Sequence, residues 1–270
     1  MAQPERSYNK KRTRCQECNA IWRFAQGVAL SLRCFWYGGP REIRGGCQCV
    51  YESRAKPGGA NSYEKDLGFA PLDFLKRRLA NQHGVAWLDL CCGTGRAVIE
   101  AAETWCGSGL DGSVRLAGVD LVPMFGSIRT GRDCMDLAAA SVERWETTER
   151  FDLITCGHGL HYIGHKLGLI QKASGWLKDG GLMMMHVDYR NMRIRGRASS
   201  AGQIGKDLRR AGFRYVPWRH LLICNGRNRH PLLYRYLGAD DRAGPNYTGQ
   251  AAIESYYERT GSRPALYVRG

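Results

Sequence analysis

No run of 18 or more apolar residues occurs in the 270-residue sequence, so no segment has the length and apolarity of a membrane-spanning helix. The nearest approach, AIWRFAQGVALSLRCFWY (20–37), is interrupted by Arg23 and Arg33. The opening MAQPERSYNKKRTRCQEC stays polar where a signal peptide needs an apolar stretch, and a cytoplasmic location is expected. Internal repeats and low-complexity tracts are also missing. Acidic residues are in deficit: 25 against 40 Lys and Arg, a net charge of +15. The deficit is uneven, with +7 over residues 1–60, −2 over 61–186 and +10 over 187–270. Two basic ends around a nearly neutral middle suit either a phosphate-bearing partner such as RNA or merely a solvated basic face.

Cysteine is plentiful, but the eleven residues are odd in number, and Cys91, Cys92, Cys156 and Cys224 fall inside apparent core strands. Reduced thiols acting as small apolar side chains fit those four better than a disulfide framework. Residues 1–60 hold Cys15, Cys18, Cys34, Cys47 and Cys49 and end in the loop-like KPGGANS (56–62), which marks a boundary between a basic, Cys-containing N-terminal extension and a domain over 61–270. Cys15, Cys18, Cys47 and Cys49 could supply four thiolates to structural zinc, the alternative being a basic arm. Its interleaved aromatics (Trp22, Phe24, Phe35, Trp36, Tyr37) suit either stacking on single-stranded RNA or packing on the domain.

Beyond the boundary, PLDFLKRRLA (71–80) has helical spacing with Pro71 in its first turn. Short apolar strands follow at 84–90, 115–121, 134–141, 151–157 and 182–189, with helices expected from Arg96, across 165–181 and around 200–213. Further strands are expected at 215–224 and 231–238. Near-continuous apolar strands alternating with helices predict an α/β fold, a doubly wound and mostly parallel sheet covered on both faces.

LDLCCGTG (88–95) poses the chemical question, since paired cysteines beside paired glycines could mean a metal or redox site, or a backbone loop shaped for a nucleotide-like cofactor. Adjacent cysteines cannot easily share one tetrahedral ion, and no second Cys or His pair stands nearby. Gly93 and Gly95 instead let the chain turn tightly and approach a ligand, with Asp89 as an acceptor at the strand end. Asp120 closes the second strand, where a carboxylate can bind both hydroxyls of a ribose. A dinucleotide loop would carry a third glycine where Val98 stands, so a nucleoside-like ligand without phosphates is expected and a nicotinamide-dependent oxidoreductase is disfavoured.

On these residues the sequence resembles the class I S-adenosylmethionine-dependent methyltransferases over about residues 61–225. The resemblance implies a seven-stranded Rossmann-like sheet, S-adenosylmethionine as cofactor, and the ribose on Asp120. FDLITCGHGLHY (151–162) is similar to the family's fourth-strand motif, which would place Cys156 and Gly157 near the methionine part. Adenine would be held after the third strand by Ala140, Ser141 and Val142. Tyr63, Asp89, Cys91, Gly93, Gly95 and Leu121 complete the implied cofactor contacts. The gap from Asp89 to Asp120 is some ten residues longer than the usual spacing of about 20, which the insertion CGSGLDGSV (106–114) accounts for.

His158 and His161 lie where an acceptor would meet the methyl group, and either could take a proton from an attacking oxygen or nitrogen, or simply line the pocket. The tetrad that grips nucleobase amino groups and the Pro-Cys pair of pyrimidine C5 methylation are both missing. A small-molecule acceptor is therefore expected ahead of RNA, and a non-catalytic RNA-binding protein of the same fold is a third reading. The polar stretch GADDRAGPNYTGQ (238–250) suits a lid or substrate wall, or an ordinary Asx-bridged turn.

Overall fold

The structure, a computed structural model, describes residues 63–105, 109, 111–122, 124–125 and 133–260. The boundary near residue 60, the proposed zinc ligands Cys15, Cys18, Cys47 and Cys49, and the basic arm lie outside the described residues. Within them the chain runs α1 (Tyr63–Leu67), α2 (Pro71–Leu79), β1 (Val85–Leu90), α3 (Arg96–Trp105), β2 (Val114–Asp120), β3 (Met135–Ala139) and β4 (Phe151–Cys156). It continues through α4 (Lys166–Gly175), β5 (Leu177–His186), β6 (Met192–Ile194), α5 (Ala201–Arg210), β7 (Arg214–Val216), β8 (Leu221–Asn225), β9 (Tyr234–Asp240) and β10 (Glu254–Arg259). No helix among the described residues is long and apolar enough to cross a membrane.

Seven strands form one sheet in the order β3-β2-β1-β4-β5-β8-β7, parallel from β3 to β5, with β8 antiparallel to both its neighbours. The alternation of side chains along β1 explains why both faces are covered. Ala86, Leu88 and Leu90 join one apolar cluster with Leu167, Ile170 and Ile204, whereas Val85 and Trp87 join another with Leu75, Val98 and Ala102. The expected doubly wound, mostly parallel sheet is present.

Three local expectations change. The helix over 165–181 stops at Gly175, because residues from Leu177 already pair with β4 across a bulge. The apolar run 215–224 is broken into β7 and β8 by the turn Pro217–Arg219, closed by His220 in left-handed conformation (φ 50°). The strand expected at 231–238 leaves the main sheet altogether and, as β9, pairs antiparallel with β10, which is parallel to β6.

Two buried ionisable side chains, Asp152 and Lys166, tie the layers together. Asp152, fully buried at the start of β4, accepts hydrogen bonds from Lys178 Nζ (2.6 Å), Gln82 Nε2 (2.8 Å), the Ala86 N–H (2.8 Å) and Arg78 Nε (2.9 Å). Burial raises its pKa, but those donors, Lys178 first, outweigh it and hold the carboxyl below its usual range. Lys166, also fully buried, donates to the Ile163 carbonyl (2.8 Å), the Ile253 carbonyl (2.6 Å) and Ser255 Oγ (3.0 Å). It pins β10 and the chain leading into it to the turn that follows β4.

Candidate active site

Strand order reverses between β1 and β4, and in open α/β sheets that reversal opens a crevice at the carboxyl ends of the strands. Asp89 and Thr155 face each other across this point in register. Thr155 Oγ1 donates to Asp89 Oδ1 at 2.6 Å and itself receives a hydrogen bond from Trp87 Nε1 at 2.8 Å. The Tyr63 hydroxyl lies 2.8 Å from both Asp89 oxygens, and its ring lies so close over Gly157 that a Cβ there would stand 2.7 Å from Tyr63 Cε1. Complete burial of Asp89 pushes its pKa up to about 7; the bonds from Thr155 and Tyr63 pull it down, and nearby Asp120 raises it further.

The loop after β1 turns through Cys91 (φ 55°), Gly93 (φ 58°) and Gly95 (φ 71°) before the Ile99 N–H bonds the Gly95 carbonyl and α3 begins. A Cβ on Gly93 would meet nothing within 4 Å, so the loop presents bare backbone toward open space at this point. Asp120 reaches it from β2: its Oδ2 accepts the Gly93 N–H at 2.9 Å and its Oδ1 the Val122 N–H at 3.0 Å. A carboxylate has about four acceptor positions, so these two bonds use half of them and shape the loop, with Asp120 itself fully buried. The next residue, Leu121, is 39% exposed.

Cys91, Cys92, Cys156 and Cys224 are thiols. Cys91 packs against Gly159, where any Cβ would collide with it, so it acts as a wedge between the two strand ends. No group of His, Cys, Asp and Glu among the described residues could hold a metal. At the end of β3 the Ala140 N–H bonds the Asp120 carbonyl at 2.7 Å, which sets residues 140–142 beside the second strand. The Ser141 carbonyl accepts from the N–H groups of Arg144 and Trp145, while the Val142 side chain is buried in the core.

His158 and His161 lie just past β4, in and before the short turn Gly159–Tyr162. They differ in access: the His158 side chain is 40% exposed, whereas His161 is 1% exposed with neither ring nitrogen hydrogen-bonded. Burial, then the neighbouring His158, Lys166 and His186, push the His161 pKa down to about 3, so it is neutral at physiological pH. His158 adopts a left-handed φ of 58°, uncommon without glycine. Its ring stacks on His186 at 4.1 Å, its Nδ1 lies 3.2 Å from the Tyr247 hydroxyl, and its Nε2 lies 3.9 Å from Asp66 Oδ2. Burial lowers its pKa and Asp66 works against that. Tyr247 in turn stacks on His220 at 3.8 Å and meets His161 edge-on at 5.2 Å.

The polar loop after β9 therefore does reach this edge of the sheet, through Tyr247. Asp66, Thr155, His186 and His220 were not singled out from the sequence. Thr155 lies one residue before the end of β4, which borders the strand-order reversal, and His186 ends the next strand, β5; their places at the carboxyl ends of these strands were a usable signal. His220 and Asp66 meet the site only through tertiary packing.

A methyltransferase-domain family model matches residues 63–236. No curated protein matches the sequence. Among solved structures, the N-methyltransferase NodS from Bradyrhizobium japonicum, bound to S-adenosylhomocysteine, is 16% identical over 67% of this chain and 98% of its own, with a TM-score of 0.37. The S-adenosylmethionine-bound amino pentose methyltransferase CalS10 from Micromonospora echinaspora is 22% identical over 52% and 54%, with a TM-score of 0.34. The plantazolicin methyltransferase BpumL is 12% identical over 42% and 43%, with a TM-score of 0.33. The chain thus spans less than two thirds of CalS10 and BpumL, and it is the domain match over residues 63–236 that shows the family. By that match the chain belongs to the class I S-adenosylmethionine-dependent methyltransferases.

Proposed function

We propose that the protein methylates an oxygen or nitrogen of a small-molecule acceptor, with His158 taking the acceptor's proton. The cofactor's donor set fits the residues present. Asp120 has lone pairs to offer ribose hydroxyls, Gly93 presents open backbone, and Asp89, with a pKa of about 7, can pair with a cation once ionised. Ser141 and Leu121 would border the adenine, and Cys156 with Gly157 would underlie the methionine part. Bound S-adenosylmethionine supplies a methyl group on a positively charged sulfur, an electrophile that needs an aligned nucleophile more than it needs acid catalysis.

The observation that carries the proposal is the contrast between the two histidines. His158 is reachable, and its Nδ1 is held by Tyr247. Its Nε2, beyond hydrogen-bond distance of Asp66, can accept the proton of an O–H or N–H group as the new bond to carbon forms. Asp66 then faces an imidazolium and stabilises it. His161, neutral and buried, serves as a wall beneath Tyr247 rather than as a base.

His158→Gln keeps a hydrogen-bonding side chain and removes the base. Methyl transfer from labelled S-adenosylmethionine to a metabolite extract should slow by about 100-fold or more, with cofactor affinity retained. Transfer at the wild-type rate would remove His158 from the chemistry.

A further inference from the structure

Away from the methyl-transfer site lies an open groove of about 540 Å³. One wall is a face of α4 with its N-cap, His165, Gly168, Gln171, Lys172 and Gly175; the other is the loop Arg227, Asn228, Arg229 that follows β8. On the helix wall the His165 ring lies over Gly168, and Gly175 faces the Asn228 carbonyl across the groove. The loop wall is rigid. Asn228 is 9% exposed; its N–H bonds the Ser174 carbonyl (3.1 Å), its Nδ2 bonds the Ala211 carbonyl (2.5 Å) and its Oδ1 accepts from the His230 N–H (2.9 Å). Farther along, the Leu232 N–H bonds Gln171 Oε1 at 2.9 Å.

Asn228 therefore holds Arg227 and Arg229 on either side of itself, toward the groove. Arg227 spends only its Nε, on the Gly175 carbonyl at 3.2 Å, and neither arginine forms an ion pair with the described residues. Arg150 lies close enough that, after burial, Arg229 and Arg150 are the main groups disfavouring the charge on Arg227, with Asp179 the one acidic group acting the other way. Lys172 is already engaged by the Glu143 and Trp145 carbonyls and by Glu146. Among the described residues, Arg227 and Arg229 have only the longer-range influence of Asp179 to offset their mutual repulsion, so their proximity does not itself stabilise the fold. Such a gathering, fixed by a buried asparagine in a concave surface, has the form of an anion site.

We propose that this groove binds the phosphate groups of a ligand, with Arg227 and Arg229 as the principal contacts. Guanidinium groups match phosphate oxygens in pairs, and the open ends admit either a free polyphosphate or a phosphodiester chain. The site is independent of the methyl-transfer reading, and part of the +10 charge carried by residues 187–270 finds its use there.

The test uses the full chain with two probes, inorganic tripolyphosphate measured by calorimetry and a 12-nucleotide oligouridylate measured by fluorescence anisotropy. The double substitution Arg227→Ala with Arg229→Ala should weaken at least one probe by about tenfold or more. For the oligonucleotide, the log-log salt slope should shrink by about 0.7 for each phosphate that is no longer neutralised. Arg227→Lys with Arg229→Lys, which keeps charge and loses the paired geometry, should fall between. Weakening confined to tripolyphosphate identifies a small phosphorylated ligand, and weakening confined to oligouridylate identifies a nucleic-acid strand. S-adenosylmethionine affinity and melting temperature, measured on the same variants, show that the fold and the cofactor site persist. If neither probe binds wild type near physiological ionic strength, or the double variant binds both as wild type does, the groove is not a phosphate site.

Discussion

Tyr63 and Asp89 meet across the crevice with the tyrosine hydroxyl 2.8 Å from each carboxylate oxygen, a contact between the first described helix and the first strand. Because Asp89 is fully buried and its pKa is about 7, the contact is poised at physiological pH. A cation binds the ionised form, so S-adenosylmethionine affinity should rise with pH up to about 7 and level off above it. Stability should move the other way. The folded carboxyl holds its proton to higher pH than the unfolded one, so the folded state binds more protons between the ordinary aspartate value of 3.8 and about 7, and stability declines as pH rises through that window. Calorimetric titrations from about pH 5.5 to about pH 8.5, which bracket the raised value, check the first trend. Tyr63→Phe should move the midpoint upward, because a hydrogen bond to the charged form is removed. An affinity independent of pH would remove Asp89 from the cofactor site.

Asp120→Ala should weaken S-adenosylmethionine binding by about 1 to 3 kcal/mol, the range for hydrogen bonds made by a charged group. It should also lower the melting temperature, because the Gly93 and Val122 N–H groups lose their acceptor. Asp120→Asn separates the effects by keeping one acceptor oxygen. Unchanged affinity in both folded variants would show that Asp120 only shapes the loop.

Tyr247→Phe removes the hydroxyl beside His158 Nδ1 but keeps the stack on His220. Methyl transfer should slow by about tenfold, with the acidic limb of its pH profile displaced and S-adenosylmethionine affinity unaltered. A purely structural tyrosine would leave the pH profile where it was.

Asp152→Ala leaves the partly exposed Lys178 and Arg78 without their carboxylate and the buried Ala86 N–H without its acceptor, and should cost about 1 to 3 kcal/mol of folding stability. Since the folded pKa of Asp152 is lowered, its contribution is present above the unfolded pKa and is lost as pH falls through the folded one. Denaturant melts at about pH 7 and about pH 3 should show the wild type and the variant converging at the lower pH.

Much of this architecture is legible along the chain, because buried parallel strands are continuous apolar runs and VAWLDL, VRLAGVD and FDLITC can be read as such. The glycine loop and Asp120 are equally plain, since their geometry is local to strand ends. Legibility fails where partners are distant. PLLYRYLG is apolar enough for the main sheet, and only its pairing with Glu254–Arg259 takes it elsewhere. Likewise the expected strand 215–224 gives no sign that His220 will stack on Tyr247, 27 positions later in the chain. Cys91 and Cys92 were legible as packing residues because adjacency argued against a shared ion, and Cys91 duly packs against Gly159.

The most direct test is where the methyl group lands. Full-length protein incubated with S-adenosylmethionine labelled in its methyl group, and with separate pools of small-metabolite extract, transfer RNA and ribosomal RNA, should label the small-metabolite fraction through an oxygen or nitrogen, and His158→Gln should abolish most of that signal. Label confined to RNA, or label in the small fraction that survives loss of His158, would contradict the account.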